Sequence, residues 1–238
     1  MTPGHLVTAS LIRSRPNLPS LFPTEVIRLP QGPTVRLFNI SDYLGDRCAP
    51  LPSCIFDTLN EEEIRAARRF RQRSDLVRSA LGRFLMRREL GSLLDIRASE
   101  VKLVRGQFGK PCLASTVGVR IEFNISHSGA HLALATGTTP VGIDVEENRT
   151  VEEVESLVQR YLTADEWCAV LKQRHACRSN EFLKYWTRKE AVLKALGCGL
   201  SRNPGSVSTL HDDDAAHQWI VKSVSTDGLF HCAVAWLR

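Results

Sequence analysis

Several features that define common protein classes are missing from this 238-residue sequence. No stretch approaches the run of about 20 apolar residues that spans a bilayer, and residues 1–16 lack the apolar segment of a secretory signal. The seven cysteines are dispersed, and they form no Cys-x-x-Cys pair of the zinc-binding or redox kind. We therefore expect a cytoplasmic protein with reduced thiols and no membrane partner.

The composition is that of a folded chain with a moderate basic excess. Apolar residues make up 43% of the sequence and the formal net charge is +5. A chain of this length can bury a core as one large domain or as two of roughly 100–120 residues. The charge suits nucleic acid, an anionic membrane, a phosphorylated ligand or an acidic protein, and it does not distinguish among these partners.

Prolines suggest how the chain is divided. Six of the 11 prolines lie within residues 1–33, where the fixed φ and the missing N–H oppose helices and central strands. We predict an extended, partly disordered tail there. Pro140 follows a turn-like stretch and marks a midpoint near residue 138. The remaining chain is therefore predicted to form two halves, 34–137 and 138–238.

Capping and apolar periodicity predict helices in two regions, and the first region, up to residue 91, is either two helices or one broken helix. Asn60, with Glu63 three residues later, resembles a capping box and predicts a helix start. Ser74 and Asp75 offer a second N-cap, which is followed by apolar residues at helical spacing. The second region runs from about 180 to 196 and is ended by glycines.

Alternation of polar and apolar residues predicts the strands. The pattern extends over residues 120–136, where Ser126-His127-Ser128-Gly129 is predicted to form the turn between two strands. A third strand follows the midpoint at 141–146. Closing strands are predicted around residue 207 and over 219–224 and 229–236.

Two carboxylates are predicted to project side by side from the third strand. Its period of two places Asp144 and Glu146 on the face opposite Val141, Ile143 and Val145. Adjacent carboxylates repel each other unless solvent, a cation or a proton relieves them, and oxygen ligands at this spacing suit Mg²⁺. Taken alone, the spacing favours a simpler interpretation, a solvated acidic strand end.

Three further motifs contain candidate site residues. Glu190 and Lys194 lie four residues apart in the second helical region, a spacing that is more often an exposed ion pair. Ser126 and His127 lie in the predicted turn, where they could grip a phosphate or satisfy local backbone groups. Gly109-Lys110-Pro111 is a turn with one cation and is uninformative by itself.

A basic nucleic-acid-binding protein without catalysis is the alternative hypothesis. Nine arginines lie between residues 65 and 88, and such a protein would use this segment to contact phosphates. No aromatic interleaving or recognisable nucleic-acid module accompanies them. Arginines on helices usually form a solvated face, from which one or two can bind a ligand phosphate.

Four motifs in fixed order resemble a known family. The motifs are Gly109–Pro111, Phe123–Gly129, Val141–Glu146 and Trp186–Lys194. Together they are similar to the 4′-phosphopantetheinyl transferases of the surfactin-synthetase-activating type, over roughly residues 59–208. The resemblance implies an α+β fold, a pseudo-dimer of two similar α/β halves that each pack a small sheet on a long helix. Coenzyme A would bind in the cleft between the halves.

The resemblance also implies an activity. Such an enzyme transfers the 4′-phosphopantetheine group of coenzyme A to a serine of an acyl or peptidyl carrier protein and releases 3′,5′-adenosine bisphosphate. We expect a monomer with no nucleic-acid partner. A third hypothesis, a degenerate relative that binds without turnover, is disfavoured by the intact acidic and lysine positions. Which carrier it modifies cannot be derived from the sequence.

Site residues follow from the same resemblance. Asp144, Glu146 and Glu190 would hold one Mg²⁺, with Mn²⁺ as an alternative ion. Glu190 would also act as general base, and Lys194 would neutralise phosphate charge beside the metal. The residues expected to contact coenzyme A are Arg78, Ser79, Lys110, Ser126, His127 and Lys194.

Overall fold

The computed structural model describes residues 21–44, 51–106, 109–114, 120–214, 218–224 and 228–238. Two four-stranded antiparallel sheets lie at its centre, and a 22-residue helix packs on the outer face of each. The layers are therefore helix, sheet, sheet and helix. This arrangement confirms the predicted α+β fold with two similar halves. None of the described helices is long and apolar enough to cross a bilayer.

The N-terminal half is built on a sheet with strand order β1-β2-β6-β5. A short hairpin, β3–β4, lies beside it. The elements of this half, in chain order, are β1 (Glu25–Arg28), β2 (Thr34–Asn39), α1 (Ser41–Leu44), α2 (Ser53–Thr58), α3 (Glu61–Arg68), α4 (Arg73–Leu94), a 3₁₀ turn (Ala98–Glu100), β3 (Leu103–Arg105), β4 (Pro111–Leu113), β5 (Glu122–Ser128) and β6 (His131–Gly137).

The C-terminal half is built on a sheet with strand order β7-β10-β9-β8. The long helix α7 lies on its outer face. The elements are β7 (Val141–Glu147), α5 (Val154–Tyr161), α6 (Ala164–Leu171), α7 (His175–Leu196), two 3₁₀ turns (Gly199–Ser201 and Pro204–Ser206), β8 (Asp213–Asp214), β9 (Trp219–Ser223) and β10 (Phe230–Leu237).

Strand β6 explains why the two sheets stack. Its apolar run places Leu132 and Leu134 against α4, while Ala133 and Ala135 face the second sheet. Successive strand side chains point to opposite faces, so a strand that is buried on both sides is apolar throughout. The small alanines let the sheets approach closely, and the halves share one apolar interface.

Gly142 allows α7 to lie directly on β7. A Cβ atom at this position would overlap the backbone oxygen of Ala191 and the backbone nitrogen of Ala195. Only glycine lacks that atom, so helix and strand pack here with their backbones nearly in contact. The side chains that follow Gly142 on the same face of β7 are thereby held beside the last turns of α7.

Several local predictions are confirmed. Asn60 and Glu63 form the predicted capping box at the start of α3. Separate helices α3 and α4 follow, and the strand at 141–146 is present, one residue longer. The connection between β6 and β7 spans residues 138–140, and the division of the chain near residue 138 stays a prediction.

Other local predictions differ from the structure. The second helix begins at Arg73 with Gln72 as its N-cap, so Ser74 and Asp75 lie inside its first turn. Residues 25–28, predicted as tail, form edge strand β1, while residues 1–20 of that tail lie outside the described residues. Helix α7 begins five residues early, and Val207 follows a 3₁₀ turn rather than forming a strand.

A fully buried ion pair fastens α6 to α7. Lys189 Nζ lies 2.7 Å from Glu166 Oε2, and both side chains are 0% exposed. Glu166 also accepts hydrogen bonds from the N–H and hydroxyl of Thr209, and Lys189 donates to the carbonyls of Pro204 and Val207. Every charged atom of the pair is thus compensated, which burial requires.

We expect Glu166→Gln to lower the free energy of unfolding by about 3 kcal/mol, because the Lys189 ammonium would stay buried without its counter-charge. Asp165→Asn, on the exposed side of the same turn, is the matched control and should change stability by less than about 0.5 kcal/mol. Urea denaturation of both variants measures the difference. Equal stabilities would contradict the assigned role of the pair.

Candidate active site

A cleft of about 630 Å³ opens between the two halves. Its volume lies in the range of small-molecule sites, which run from about 300 to 1,000 Å³. The first half contributes α4, β5 and the β3–β4 hairpin to its walls, and the second half contributes β7 and α7. The cleft brings together predicted site residues from both halves, namely Arg78, Ser79, Ser126, His127, Asp144, Glu146, Glu190 and Lys194.

A row of polar side chains on β5 joins the two sheets. Asn124 Oδ1 accepts a hydrogen bond of 2.8 Å from the backbone N–H of Ile143. Two residues on, Ser126 Oγ donates to Asp144 Oδ1 at 2.8 Å, and after two more Ser128 Oγ donates to Glu146 at 3.1 Å. We call Asn124, Ser126 and Ser128 the polar seam. The seam satisfies the free edge of β7 and orients its two carboxylates.

The predicted turn at residues 126–129 is therefore wrong. Ser126, His127 and Ser128 belong to β5, and the turn begins only at Gly129, where φ is 54°. Serine, histidine and glycine are typical turn residues, which is why the local pattern favoured a turn. The strand persists because its seam side chains find partners on β7, a contact made across the two halves.

The three predicted acidic residues line the same part of the cleft. Asp144 and Glu146 project from β7, and Glu190 projects from α7. Lys194 lies one turn after Glu190, and its ammonium donates to Asp144 Oδ1 at 2.6 Å and to Ser126 Oγ at 3.1 Å. The residues predicted from the two-residue period of β7 and from the four-residue spacing on α7 thus lie close together.

Burial and mutual repulsion act on these carboxylates. The pKa of Glu146 is raised by burial and then by the charge of Asp144. The pKa of Glu190 is raised by burial, and Asp144 and Glu146 add to the rise while Lys194 opposes it. Raised pKa values of neighbouring glutamates are typical of functional sites, where a ligand supplies positive charge.

The donor set fits a hard divalent cation. Asp144 Oδ2 and Glu190 Oε1 are buried and have no hydrogen-bond partner among the described residues. Buried carboxylate oxygens without partners are costly, and oxygen ligands are those that Mg²⁺ and Mn²⁺ bind. No three acidic, histidine or cysteine side chains in the described part of the chain already form a closed metal cage. Some adjustment of these side chains would accompany binding.

Arginines of α4 also line the cleft, on a wall that includes Glu62 and Glu63. Arg78 donates to Asp75 at 2.6 Å and to the carbonyl of Gly129 at 3.0 Å, which fixes it between α4 and the β5–β6 turn. Arg83 donates to the carbonyl of Ser79 at 2.9 Å and also lines the cleft. A ligand with several anionic groups could therefore contact these arginines and, through a cation, the acidic cluster.

Comparison with known proteins identifies the family. The profile described as "4′-phosphopantetheinyl transferase superfamily" matches residues 140–232. A second, "4′-phosphopantetheinyl transferase, N-terminal", matches residues 52–139. The two profiles adjoin at the boundary between the halves and together cover most of the chain. The chain belongs to the 4′-phosphopantetheinyl transferase family.

Individual transferases are similar to parts of this chain. The 4′-phosphopantetheinyl transferase Sfp of Bacillus subtilis is 29% identical over 156 residues, 65% of this chain and 68% of that protein. The transferase HetI of a Nostoc species is 33% identical over 147 residues, 61% of this chain and 62% of that protein. A Thermotoga maritima holo-[acyl-carrier-protein] synthase structure is 26% identical, with a TM-score of 0.33 over 42% of this chain and 63% of that one.

Lys110 is the one predicted site residue of this transferase that is not among the described residues lining the cleft. Its ammonium donates to the backbone carbonyls of Val141, at 2.8 Å, and Lys194, at 2.9 Å. Both carbonyls belong to the C-terminal half. Lys110 is half-buried between the halves, and the role in coenzyme A binding that the resemblance implies stays a prediction.

Some cleft residues were not singled out from the sequence. Arg83 and Arg105 line the cleft. Asn124 and Ser128 belong to the polar seam beside it. The seam has a recognisable signal, since three polar residues at alternate positions on a strand share one face. Arg83 had no such signal, because it is one arginine among many on α4.

We expect Asn124→Leu to lower the free energy of unfolding by about 1–3 kcal/mol, because the buried N–H of Ile143 would lose its acceptor at nearly constant side-chain volume. The specific readout is hydrogen exchange at the Ile143 amide, which should become faster while the amides of α4 keep their protection. Unchanged exchange at Ile143 would show that the seam does not hold β7.

Proposed function

We propose that this chain transfers the 4′-phosphopantetheine group of coenzyme A to a serine of an acyl or peptidyl carrier protein, and that it does so in the cleft between the halves with one divalent cation. The observation that carries the proposal is the meeting of Asp144, Glu146 and Glu190 beside Lys194 in that cleft. The charge of such a site suits a diphosphate that is held through a cation.

Coenzyme A matches the charge distribution of the cleft. It carries a diphosphate in its middle and a further phosphate on the ribose of its nucleotide end. We infer that Arg78 and the exposed ring of His127 receive the nucleotide end, and that the diphosphate lies near Lys194 and the acidic cluster. Ser79 and Ser126 would add hydroxyl contacts, since both line the cleft.

The reaction is a substitution at phosphorus. The serine hydroxyl oxygen of the carrier forms a bond to the β-phosphorus of coenzyme A, and the bond from that phosphorus to the bridging oxygen breaks. The leaving group is 3′,5′-adenosine bisphosphate. Glu190 takes the serine proton, directly or through water, because its carboxylate lies at the acidic end of the cleft.

Charge that develops on the phosphoryl oxygens needs stabilisation by positive groups. Lys194 provides one such positive group, because its ammonium lies at the cleft wall, where it donates to the Asp144 carboxylate. Asp144, Glu146 and Glu190 would hold Mg²⁺ or Mn²⁺, and two of their oxygens, Asp144 Oδ2 and Glu190 Oε1, are buried without a hydrogen-bond partner among the described residues. When bound, the cation would neutralise diphosphate charge and help align the reacting groups.

The partners proposed are coenzyme A and a carrier protein, without nucleic acid or membrane. Carrier proteins of this kind are acidic helical bundles, and the net charge of +5 favours a steered encounter. One chain supplies both walls of the cleft, which supports a monomer. The six cysteines in the described part of the chain are free, which is consistent with a cytoplasmic location.

The nucleic-acid alternative finds no support. Four of the nine arginines between residues 65 and 88 are at least partly buried and donate within the chain. Arg87 pairs with Glu63 at 2.8 Å and is only 2% exposed, and Arg88 donates to the carbonyl of Leu21. The other five arginines are exposed, and the family matches of the chain are to phosphopantetheinyl transferases.

Glu190→Gln and Asp144→Asn should each lower transfer by at least about 10³-fold, because each removes a cation ligand and the first also removes the base. Glu147→Gln, at the exposed end of the same strand, is the matched control and should retain activity. Mass spectrometry of several apo-carriers incubated with coenzyme A and Mg²⁺ measures the gain of one phosphopantetheine group, and ranks the carriers by rate.

Failure of the unsubstituted protein to modify any carrier would contradict the proposed activity. Full activity of either acidic variant at saturating Mg²⁺ would instead contradict the assigned roles and leave the activity standing. Both variants should fold, because neither substitution leaves a core cavity.

His127→Ala should raise the KM for coenzyme A about tenfold with a smaller effect on kcat, because the imidazole is proposed to contact the nucleotide end and not the reacting phosphorus. Steady-state kinetics with coenzyme A varied at a fixed carrier concentration separates the two constants. An unchanged KM would remove His127 from the binding site.

A further inference from the structure

Lys110 occupies an unusual place for a residue expected to contact coenzyme A. It immediately precedes β4 in the N-terminal half, yet its ammonium donates to Val141 O and Lys194 O of the C-terminal half. These acceptors lie 31 and 84 residues away along the chain. Val141 begins the strand that carries Asp144 and Glu146, and Lys194 lies in the last turn of α7.

The acceptor on α7 lies in the last turn of the helix. The last four carbonyls of a helix have no partner in the next turn, and cationic side chains stabilise that end through the helix dipole. At the end of α7, Gly197 has a φ of 68° and donates to the carbonyls of Leu193 and Lys194. Lys110 adds a charged donor to Lys194 O from the other half of the molecule.

The backbone around Lys110 restricts where its side chain can point. Gly109 adopts a φ of 81°, which glycine allows without strain, and its N–H bonds to the carbonyl of Gly106. Pro111 limits the backbone of the residue before it to extended conformations. Lys110 is thus held between a turn glycine and a proline, which lowers the entropy lost when its ammonium binds two carbonyls.

One residue connects this contact to the acidic cluster. The carbonyl of Lys194 accepts from Lys110, and the ammonium of the same Lys194 donates to Asp144 Oδ1 at 2.6 Å. The carbonyl of Val141 fixes the start of β7 three residues before Asp144. A single cation from the first half therefore holds both elements that carry the carboxylates of the second.

We propose that Lys110 is a positioning residue that sets the spacing of β7 and the end of α7, and that it does not bind the phosphates of coenzyme A. The role rests on the proposed function, since the spacing matters for transfer only if the acidic cluster is the active site. The carbonyl contacts themselves do not depend on that function.

The test uses Lys110→Met, which keeps the aliphatic stem and removes the charged donor. In the protein without ligand, amides of the last turn of α7, including Gly197 and Cys198, should exchange with solvent at least about fivefold faster. In the transfer assay kcat should fall by about 10- to 100-fold, because small displacements of reacting groups have effects of this size. The KM for coenzyme A should change less than about twofold.

Two further variants keep the test decisive. Lys110→Arg retains charge and donors and should restore most of kcat, while Lys110→Gln, with one neutral donor, serves if the methionine variant does not fold and should give intermediate exchange. Lys102→Met removes an exposed lysine from the same half and should leave both readouts unchanged.

A raised KM for coenzyme A with normal kcat and normal exchange in Lys110→Met would overturn the proposal. It would indicate that Lys110 contacts coenzyme A directly. The failure of the proposed function itself looks different. In that case the unsubstituted protein transfers nothing to any carrier, while the exchange difference at the end of α7 still reports on the contact.

Discussion

The polar contact between β5 and β7 is the interaction on which the cleft depends. Two sheets that end in open edges meet there, and an unpaired edge must find hydrogen bonds or be exposed to water. Asn124 and Ser128 of the first half accept hydrogen bonds from the backbone N–H groups of Ile143 and Glu147 on that edge, and Ser126 donates to the carboxylate of Asp144. Because those side chains also bond to Asp144 and Glu146, the joint between the halves and the acidic site are one structure.

The second constraint is the close approach of α7 to β7. Gly142 removes the side chain that would separate them, and Glu190 and Lys194 then face the same cleft as the carboxylates of β7. The buried pair of Lys189 and Glu166 fixes the outer side of the same helix segment. Two neighbouring residues of α7 thus have different roles. Lys189 anchors the helix, and Glu190 faces the ligand site.

Local periodicity predicted the elements better than the contacts between them. The capping box of α3, the paired carboxylates of β7 and the four-residue spacing on α7 are all short-range patterns, and the structure contains each of them. The position of the turn after β5 was wrong because Ser126 and Ser128 have partners on another strand. The partners of Lys110 are backbone carbonyls. Every residue has one, so no sequence pattern indicates which carbonyls Lys110 contacts.

The central claim is that acidic side chains of β7 and α7 hold one cation beside a diphosphate. Crystallography of the protein with Mn²⁺ and coenzyme A, using the anomalous signal of manganese, tests it most directly. The account predicts a single strong peak among the carboxylate oxygens of Asp144, Glu146 and Glu190, next to the diphosphate. A manganese peak elsewhere, or coenzyme A bound outside the cleft, would contradict it.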